Sequence, residues 1–146
     1  MNLNKPRIVE LFAGVGGFRK AITNVFPKAE YVFVSEWDKH AAKSYEALFG
    51  EKPEGDITKF EASEIPEHDI LVGGFPCQPF SVSGCQLGFE EVRGTLFFDM
   101  LRIAKAKQPR WIVMENVKGL LSHKKGETIS TMVKLLSDIG YSVDFN

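Results

Sequence analysis

Apolar and polar positions in this chain switch between two periods. Compact apolar runs at Ile8-Val9-Glu10-Leu11-Phe12, Tyr31 to Glu36, Asp69 to Val72 and Trp111 to Glu115 read as buried strands. Between them, apolar residues recur every three or four positions, which marks helix faces. Phe18, Ala21, Ile22, Val25 and Phe26 form the first face, and Ala41, Ala42, Tyr45 and Phe49 the second. Phe97, Met100, Leu101 and Ala104 form a third, and Ile129, Met132, Val133, Leu136 and Ile139 the last. Pro27 stops the first helix, Asp38 suits the N-cap of the second, and Gly140 closes the last. Two further strand positions are expected, a short third at Asp56-Ile57 and a sixth beginning at Tyr141 to Asn146.

Strands alternating with helices predict an α/β fold with a doubly wound, mostly parallel sheet. Such sheets carry their chemistry at the carboxyl ends of the strands. The glycine turn Ala13-Gly14-Val15-Gly16-Gly17, Glu36, Asp56, Cys77 and Glu115 all fall at such ends. That shared placement says more than any one of the motifs.

Composition narrows the class without choosing a function. The 146 residues, 44% hydrophobic and 25% charged, suit one ordinary globular domain. A net charge of -1 gives no basic footprint, so any grip on nucleic acid must be local or lie on another polypeptide. No apolar run approaches a membrane span and the start lacks a signal-peptide core, so a cytoplasmic location is expected. Cys77 and Cys85 make no disulfide framework, and His40, His68 and His123 show no metal-ligand spacing. No metal is expected.

Each candidate residue has a functional and a structural reading. The glycine turn permits close approach of a ligand to backbone with a helix N-terminus behind it, but a plain tight turn would look the same. It departs from the dinucleotide fingerprint, because Arg19 stands where the third glycine belongs. Glu36 lies roughly 20 residues on, the spacing of a carboxylate on ribose hydroxyls. Trp37 covers an adenine face or packs as an interfacial core residue; Asp56 accepts from an adenine amino group or stabilises the turn after Gly55. Cys77 sits between Pro76 and Pro79 in a loop running to about Gly94, a stiff mounting for a nucleophile; the alternative is a small buried hydrophobe. Glu115 ends an apolar strand, so it is either paired or functional, and burial would keep it protonated. Arg93 with Gly94-Thr95 is either a phosphate grip or a surface arginine.

Six motifs together carry a resemblance. Leu11 to Phe18, Ser35-Glu36-Trp37-Asp38, Gly55-Asp56-Ile57, Gly73 to Ser81, Arg93 to Asp99 and Glu115-Asn116-Val117 occur in the order of the DNA (cytosine-5)-methyltransferases. The chain resembles the bacterial, restriction–modification branch. The resemblance implies the Rossmann-like fold of S-adenosylmethionine-dependent methyltransferases, with S-adenosyl-L-methionine as donor and S-adenosyl-L-homocysteine as product. By motif match Phe12 packs on the adenine, and Ala13, Gly14, Gly16 and Gly17 pass the methionine part. Glu36 holds the ribose, Trp37, Asp56 and Ile57 frame the adenine, and Leu96 closes the other side near Gly74 and Pro76. Cys77 is implied as the nucleophile that adds to carbon 6 of a flipped-out cytosine, making carbon 5 able to take the methyl group. Glu115 is implied at the base's Watson–Crick edge. Gln78, Ser81, Ser83, Arg93, Asn116 and Val117 are expected to face double-stranded DNA.

The family continues with a paired-arginine strand, a target recognition domain and a final helix, none of which occurs within these 146 residues. The expectation is therefore a partial catalytic and cofactor-binding domain over residues 1–146, incomplete at its C-terminal end and inactive alone. It is read as the amino-terminal part of a full enzyme, as one subunit of a split enzyme with a partner polypeptide, or as a cofactor-binding remnant. Transfer RNA is the runner-up substrate.

Overall fold

A computed structural model of the chain describes residues 4–75 and 96–144. Among the described residues, four strands form one parallel sheet: β1 (Arg7–Leu11), β2 (Glu30–Ser35), β3 (Ile70–Gly74) and β4 (Trp111–Glu115). Their spatial order is β2-β1-β3-β4. The strand order reverses beside β1, which puts a switch point between the carboxyl ends of β1 and β3.

Strand alternation sorts the core into two layers. Ile8, Ile70 and Val72 face helix α1 (Gly17–Val25), meeting Phe18, Ile22 and Phe26. Val9, Leu11 and Leu71 face the other layer with α3 (Leu96–Lys107) and, beyond a short α4 (Gly119–Ser122), α5 (Glu127–Asp138). Helix α2 (Lys39–Phe49) sits on the α1 side through Tyr45, which packs with Ala13 and Val34. The sheet is thus wound on both faces, as its sequence pattern predicts. Asp38 is the N-cap of α2, accepting from the backbone N–H groups of His40 and Ala41 at 3.0 and 2.8 Å. Gly50 closes that helix in the left-handed region.

Three expectations are corrected. Asp56-Ile57 is not a strand: the Asp56 side chain caps a 3₁₀ turn, Ile57–Lys59, and local side-chain bonding of this kind competes with strand pairing. Residue 54 alone bridges to Ser35. Among the described residues, 141–144 form no strand either. The Tyr141 hydroxyl donates to the Pro109 carbonyl at 2.6 Å, Gly140 turns the chain at φ 97°, and a groove lies between the segment and β4. Finally, Ala21 and Val25 of the first predicted helix face are exposed, because only Phe18, Ile22 and Phe26 reach the sheet.

Gly16 is the glycine this packing cannot replace. It holds φ 91°, and an added Cβ would stand 2.1 Å from the Phe49 ring. Gly16→Ala is expected to destabilise the chain by about 2–4 kcal/mol, from backbone strain plus overpacking. Chemical denaturation measures this. Part of the loss should return in a Phe49→Leu background, and equal losses in both backgrounds would exclude the packing contribution.

Candidate functional site

A cleft of about 190 Å³ opens at the carboxyl ends of β1 and β2, lined by Phe12, Ser35, Glu36, Trp37, Gly55, Asp56, Ile57, Thr58 and Leu96. All six residues that the sequence reading assigned to an adenosine group, from four separate stretches, meet here. The volume is below the usual range of about 300–1,000 Å³ for whole small-molecule sites, so it suits one flat moiety of a larger ligand.

Glu36 is the hinge of this cleft. It is 8% exposed, and its two carboxylate oxygens accept from the backbone N–H of Gly14 and of Asp38, each at 2.7 Å. One carboxylate therefore joins the glycine turn to the start of α2. The turn is tied to β2 as well, since Ala13 N–H donates to the Ser35 carbonyl at 3.0 Å. Each Glu36 oxygen keeps a second lone pair for hydroxyls of a bound sugar.

Phe12 holds a left-handed backbone, φ 56°. For a bulky aromatic residue this costs about 1–2 kcal/mol and marks a position over-determined by its surroundings. No residue pattern announces it. Trp37 is 72% exposed, which removes the reading of it as a core residue and leaves its indole at the cleft wall. Asp56 does stabilise its turn: Oδ1 accepts from the Thr58 N–H and hydroxyl at 3.0 and 2.8 Å, and these bonds hold the carboxyl below its ordinary range. A carboxylate still offers its second oxygen to a ligand. Of the turn glycines, Gly14 and Gly16 have positive φ, whereas nothing crowds Gly17.

The second half of the predicted site lies across β1, where β3 and β4 end. An added Cβ on Gly74 would stand 2.8 Å from Glu115 Oε2, so glycine there makes room for the carboxylate. Asn116 donates to the Phe75 carbonyl at 2.7 Å and accepts from Val117 N–H, which ties the end of β4 to the backbone entering the cysteine segment. Its side chain thus has a structural task that its assignment to DNA contact did not anticipate. Glu115 is exposed rather than buried, because β4 is an edge strand with Trp111 and Val113 also open to solvent. The burial expected of Glu115 is therefore not found in this chain by itself. Val117 is exposed at the same edge. Pro76, Cys77, Gln78, Ser81, Ser83 and Arg93 lie outside the described residues.

A larger groove, about 1140 Å³, lies between β4, α5 and residues 140–144. Its walls include Trp111, Val113, Leu121, Met132 and Val143. It is the uncovered flank of the apolar core, and its size does not make it the site. Among the described residues no helix is long and apolar enough to cross a membrane, and no three metal-ligating side chains converge.

Glu10 escaped the sequence reading because it looked like one polar position in a strand. It is fully buried, with Tyr45 Oη donating to Oε2 at 3.0 Å and Arg19 N–H to Oε1 at 3.3 Å. Burial pushes its carboxyl up to about 7 from 4.5, against the opposing hydrogen bonds from Tyr45 and Arg19. A carboxyl raised on folding binds its proton more tightly in the native chain, so between pH 4.5 and about 7 stability falls as pH rises. The rise corresponds to about 3 kcal/mol, and Glu10→Gln should remove this fall in denaturation measured from pH 5 to 8. Buried His68, lowered by desolvation, contributes with the opposite sign in both proteins and cancels in the comparison. Parallel pH profiles for the two proteins would contradict the assignment to Glu10.

Comparison with known proteins gives the family of the chain. Residues 6–146 match the family model described as C-5 cytosine-specific DNA methylase. The Type II methyltransferase M.HhaI of Haemophilus parahaemolyticus is 52% identical over 93% of this chain and 41% of its own length. The Type II methyltransferase M.NgoBI of Neisseria gonorrhoeae is 50% identical over 95% of this chain and 43% of its own. The chain thus spans about two fifths of these relatives. Among solved structures, a DNMT2 mutant of Spodoptera frugiperda superposes with TM-score 0.70 at 25% identity, covering 92% of this chain and 41% of that one. The Entamoeba histolytica methyltransferase EhMeth shares the fold with TM-score 0.69 at 18% identity, over 96% of this chain and 46% of its own. The match running from residue 6 to residue 146, with relatives 50–52% identical over nearly the whole chain, places the chain in the C-5 cytosine-specific DNA methylase family.

Proposed function

We propose that this chain is the cofactor-binding and nucleophile-bearing part of a DNA (cytosine-5)-methyltransferase of a restriction–modification system. The observation that carries the reading is the cleft in which Glu36, braced between Gly14 and Asp38, stands beside Phe12, Trp37, Asp56, Ile57 and Leu96. The donor set fits S-adenosyl-L-methionine: an aromatic ring and an indole for a heterocycle, a braced carboxylate for ribose hydroxyls, and a turn of small residues for the amino-acid tail. When bound, that cofactor supplies an electrophilic methyl group.

The remaining steps belong to residues of the chain and to the base. Cys77 as thiolate adds to carbon 6 of cytosine, giving carbon 5 the nucleophilicity it lacks. Glu115 hydrogen-bonds ring nitrogen 3 and the amino group as charge develops there. After transfer a base takes the carbon-5 proton and Cys77 is eliminated. The target has to leave the helical stack, so base flipping accompanies binding of double-stranded DNA. Gln78, Ser81, Ser83, Arg93 and Val117 are assigned to the DNA side, and Ala13, Gly16, Gly17, Gly74 and Pro76 to the cofactor side.

Residues 1–146 act as one catalytic and cofactor-binding domain in the cytoplasm, with target recognition supplied by further sequence, whether in the same or a second polypeptide. The exposed flank of β4 supports this, since an edge of that kind accepts another strand. The purified chain is expected to bind S-adenosyl-L-homocysteine in calorimetry yet to transfer no labelled methyl group to mixed-sequence DNA. Binding without transfer, with activity restored by the remainder of the family's length, distinguishes a working portion from a remnant. Methylation by the chain alone would refute its dependence on additional sequence, and methylation of transfer RNA in preference to DNA would refute the substrate.

A further inference from the structure

Glu10 presents a puzzle that stability does not solve. A carboxylate fully buried in the middle of β1 costs free energy in its charged form, and the neighbours on its face of the sheet are Ile8 and, across to β3, Val72. What it holds is nevertheless specific. Its Oε1 accepts from the N–H of Arg19, one of the first four donors of α1, which have no partner within the helix. Its Oε2 accepts from Tyr45 Oη in the middle of α2. The two helices it grips are the two that begin at the cleft, and the bond to Arg19 spans the whole glycine turn.

The grip is reinforced around one side chain. The Arg19 guanidinium donates to Tyr45 Oη at 3.0 Å and pairs with Glu51 at 2.6 Å. It lies over the rings of Tyr31, Phe49 and Tyr45, at 4.4, 4.9 and 5.5 Å from their centroids. The Tyr31 hydroxyl donates to the Arg19 carbonyl at 3.1 Å. Arg19 occupies the place of the third fingerprint glycine, and here helix and sheet are joined by a plugged cation instead of by close backbone contact.

We propose that Glu10 is a positioning residue for the cofactor cleft: its buried carboxylate, by holding the Arg19 N–H and the Tyr45 hydroxyl, fixes how the glycine turn and α2 meet Glu36. The proposal rests on the cofactor reading above. The ionised form accepts both bonds with the help of its charge, whereas the protonated form loses that charge and would have to donate to Tyr45 Oη, which already accepts from the Arg19 guanidinium. The groups that face Glu10 are Arg19 from α1, Tyr45 from α2 and Tyr31 from β2, with Glu51 beyond α2 held ionised by Arg19; β3 presents only Val72. The fixed partners make a two-state switch in which the form favoured by burial is the poorer clamp.

Calorimetric titration of the purified 146-residue chain with S-adenosyl-L-homocysteine at pH 6, 7 and 8 tests this. Wild type should bind roughly fivefold more tightly at pH 8 than at pH 6, the equivalent of one hydrogen bond. Glu10→Gln should bind roughly fivefold more weakly than wild type at pH 8 and lose that pH dependence, although thermal melts at pH 8 show it to be the more stable protein. Tyr45→Phe, which removes the bond to Glu10 and the one from the Arg19 guanidinium but leaves the carboxylate, should fall between them. Identical affinities and pH profiles for wild type and Glu10→Gln, or a change in melting without a change in affinity, would overturn the proposal. Absence of binding by wild type at every pH would instead defeat the cofactor reading, and the positioning role with it.

Discussion

Cys77→Ser is expected to abolish covalent trapping on DNA that carries 5-fluorocytosine, in an assay where the chain is joined to, or mixed with, the rest of the family's length. Fluorine at carbon 5 cannot leave as a proton does, so an adduct that has accepted its methyl group cannot eliminate the enzyme and accumulates. The serine hydroxyl is a far weaker nucleophile than a thiolate near neutral pH, and it has no base assigned beside it. Loss of turnover on ordinary cytosine should be on the order of a thousandfold or more, as for other nucleophile deletions. Folding and cofactor affinity should be little changed, because the substitution differs by one atom. A denaturing gel reads the trapped complex. If trapping persists in the serine variant, Cys77 is not the nucleophile and Cys85 becomes the thiol to examine.

Glu36→Ala is expected to have the largest effect on cofactor binding. The side chain is buried and accepts two charge-assisted bonds, from Gly14 and Asp38, each 2.7 Å long. Removing it orphans two backbone donors at the mouth of the cleft, and at about 1.5–3 kcal/mol per bond the chain should lose roughly 3 kcal/mol or more of stability. Binding of S-adenosyl-L-homocysteine should fall by about 100-fold or more, since the same deletion removes the ribose acceptor and releases the turn. Glu36→Gln, which keeps one oxygen and presents an amide N–H₂ to the second donor, should lie about midway in both measurements. Calorimetry and urea denaturation separate the two effects. Affinity within twofold of wild type in Glu36→Ala would remove Glu36 from the binding site, whatever its contribution to stability.

The pairing of these residues explains how far the sequence could be read. Strand and helix identity follows from local periodicity, so all four strands and the four principal helices stand where the apolar pattern puts them. Asp38 as an N-cap and Gly50 as a helix stop are likewise local, because capping needs only residues one to four positions apart. The failures share a cause too. Asp56-Ile57 has the apolar and polar signature of a strand edge, yet a side chain bonding two residues ahead wins at that position. Residues 141–144 have strand-forming side chains, but a strand requires a partner, and a groove lies between the segment and β4.

The sequence by itself determined the class of fold, the edge of the sheet where chemistry belongs, and the family, since six motifs in order need no coordinates. Tertiary structure decided which motif residues share a space. It gathered Phe12, Glu36, Trp37, Asp56, Ile57 and Leu96 into one cleft, and left Gly74 and Glu115 across β1 beside an open strand edge. It also disclosed Glu10, Arg19 and Tyr45 as a unit, although they are separated by up to 35 positions and belong to no common pattern. The reason is physical: periodicity and capping are fixed by neighbours along the chain, whereas burial, backbone strain and the fate of a buried charge depend on which segments the sheet brings together.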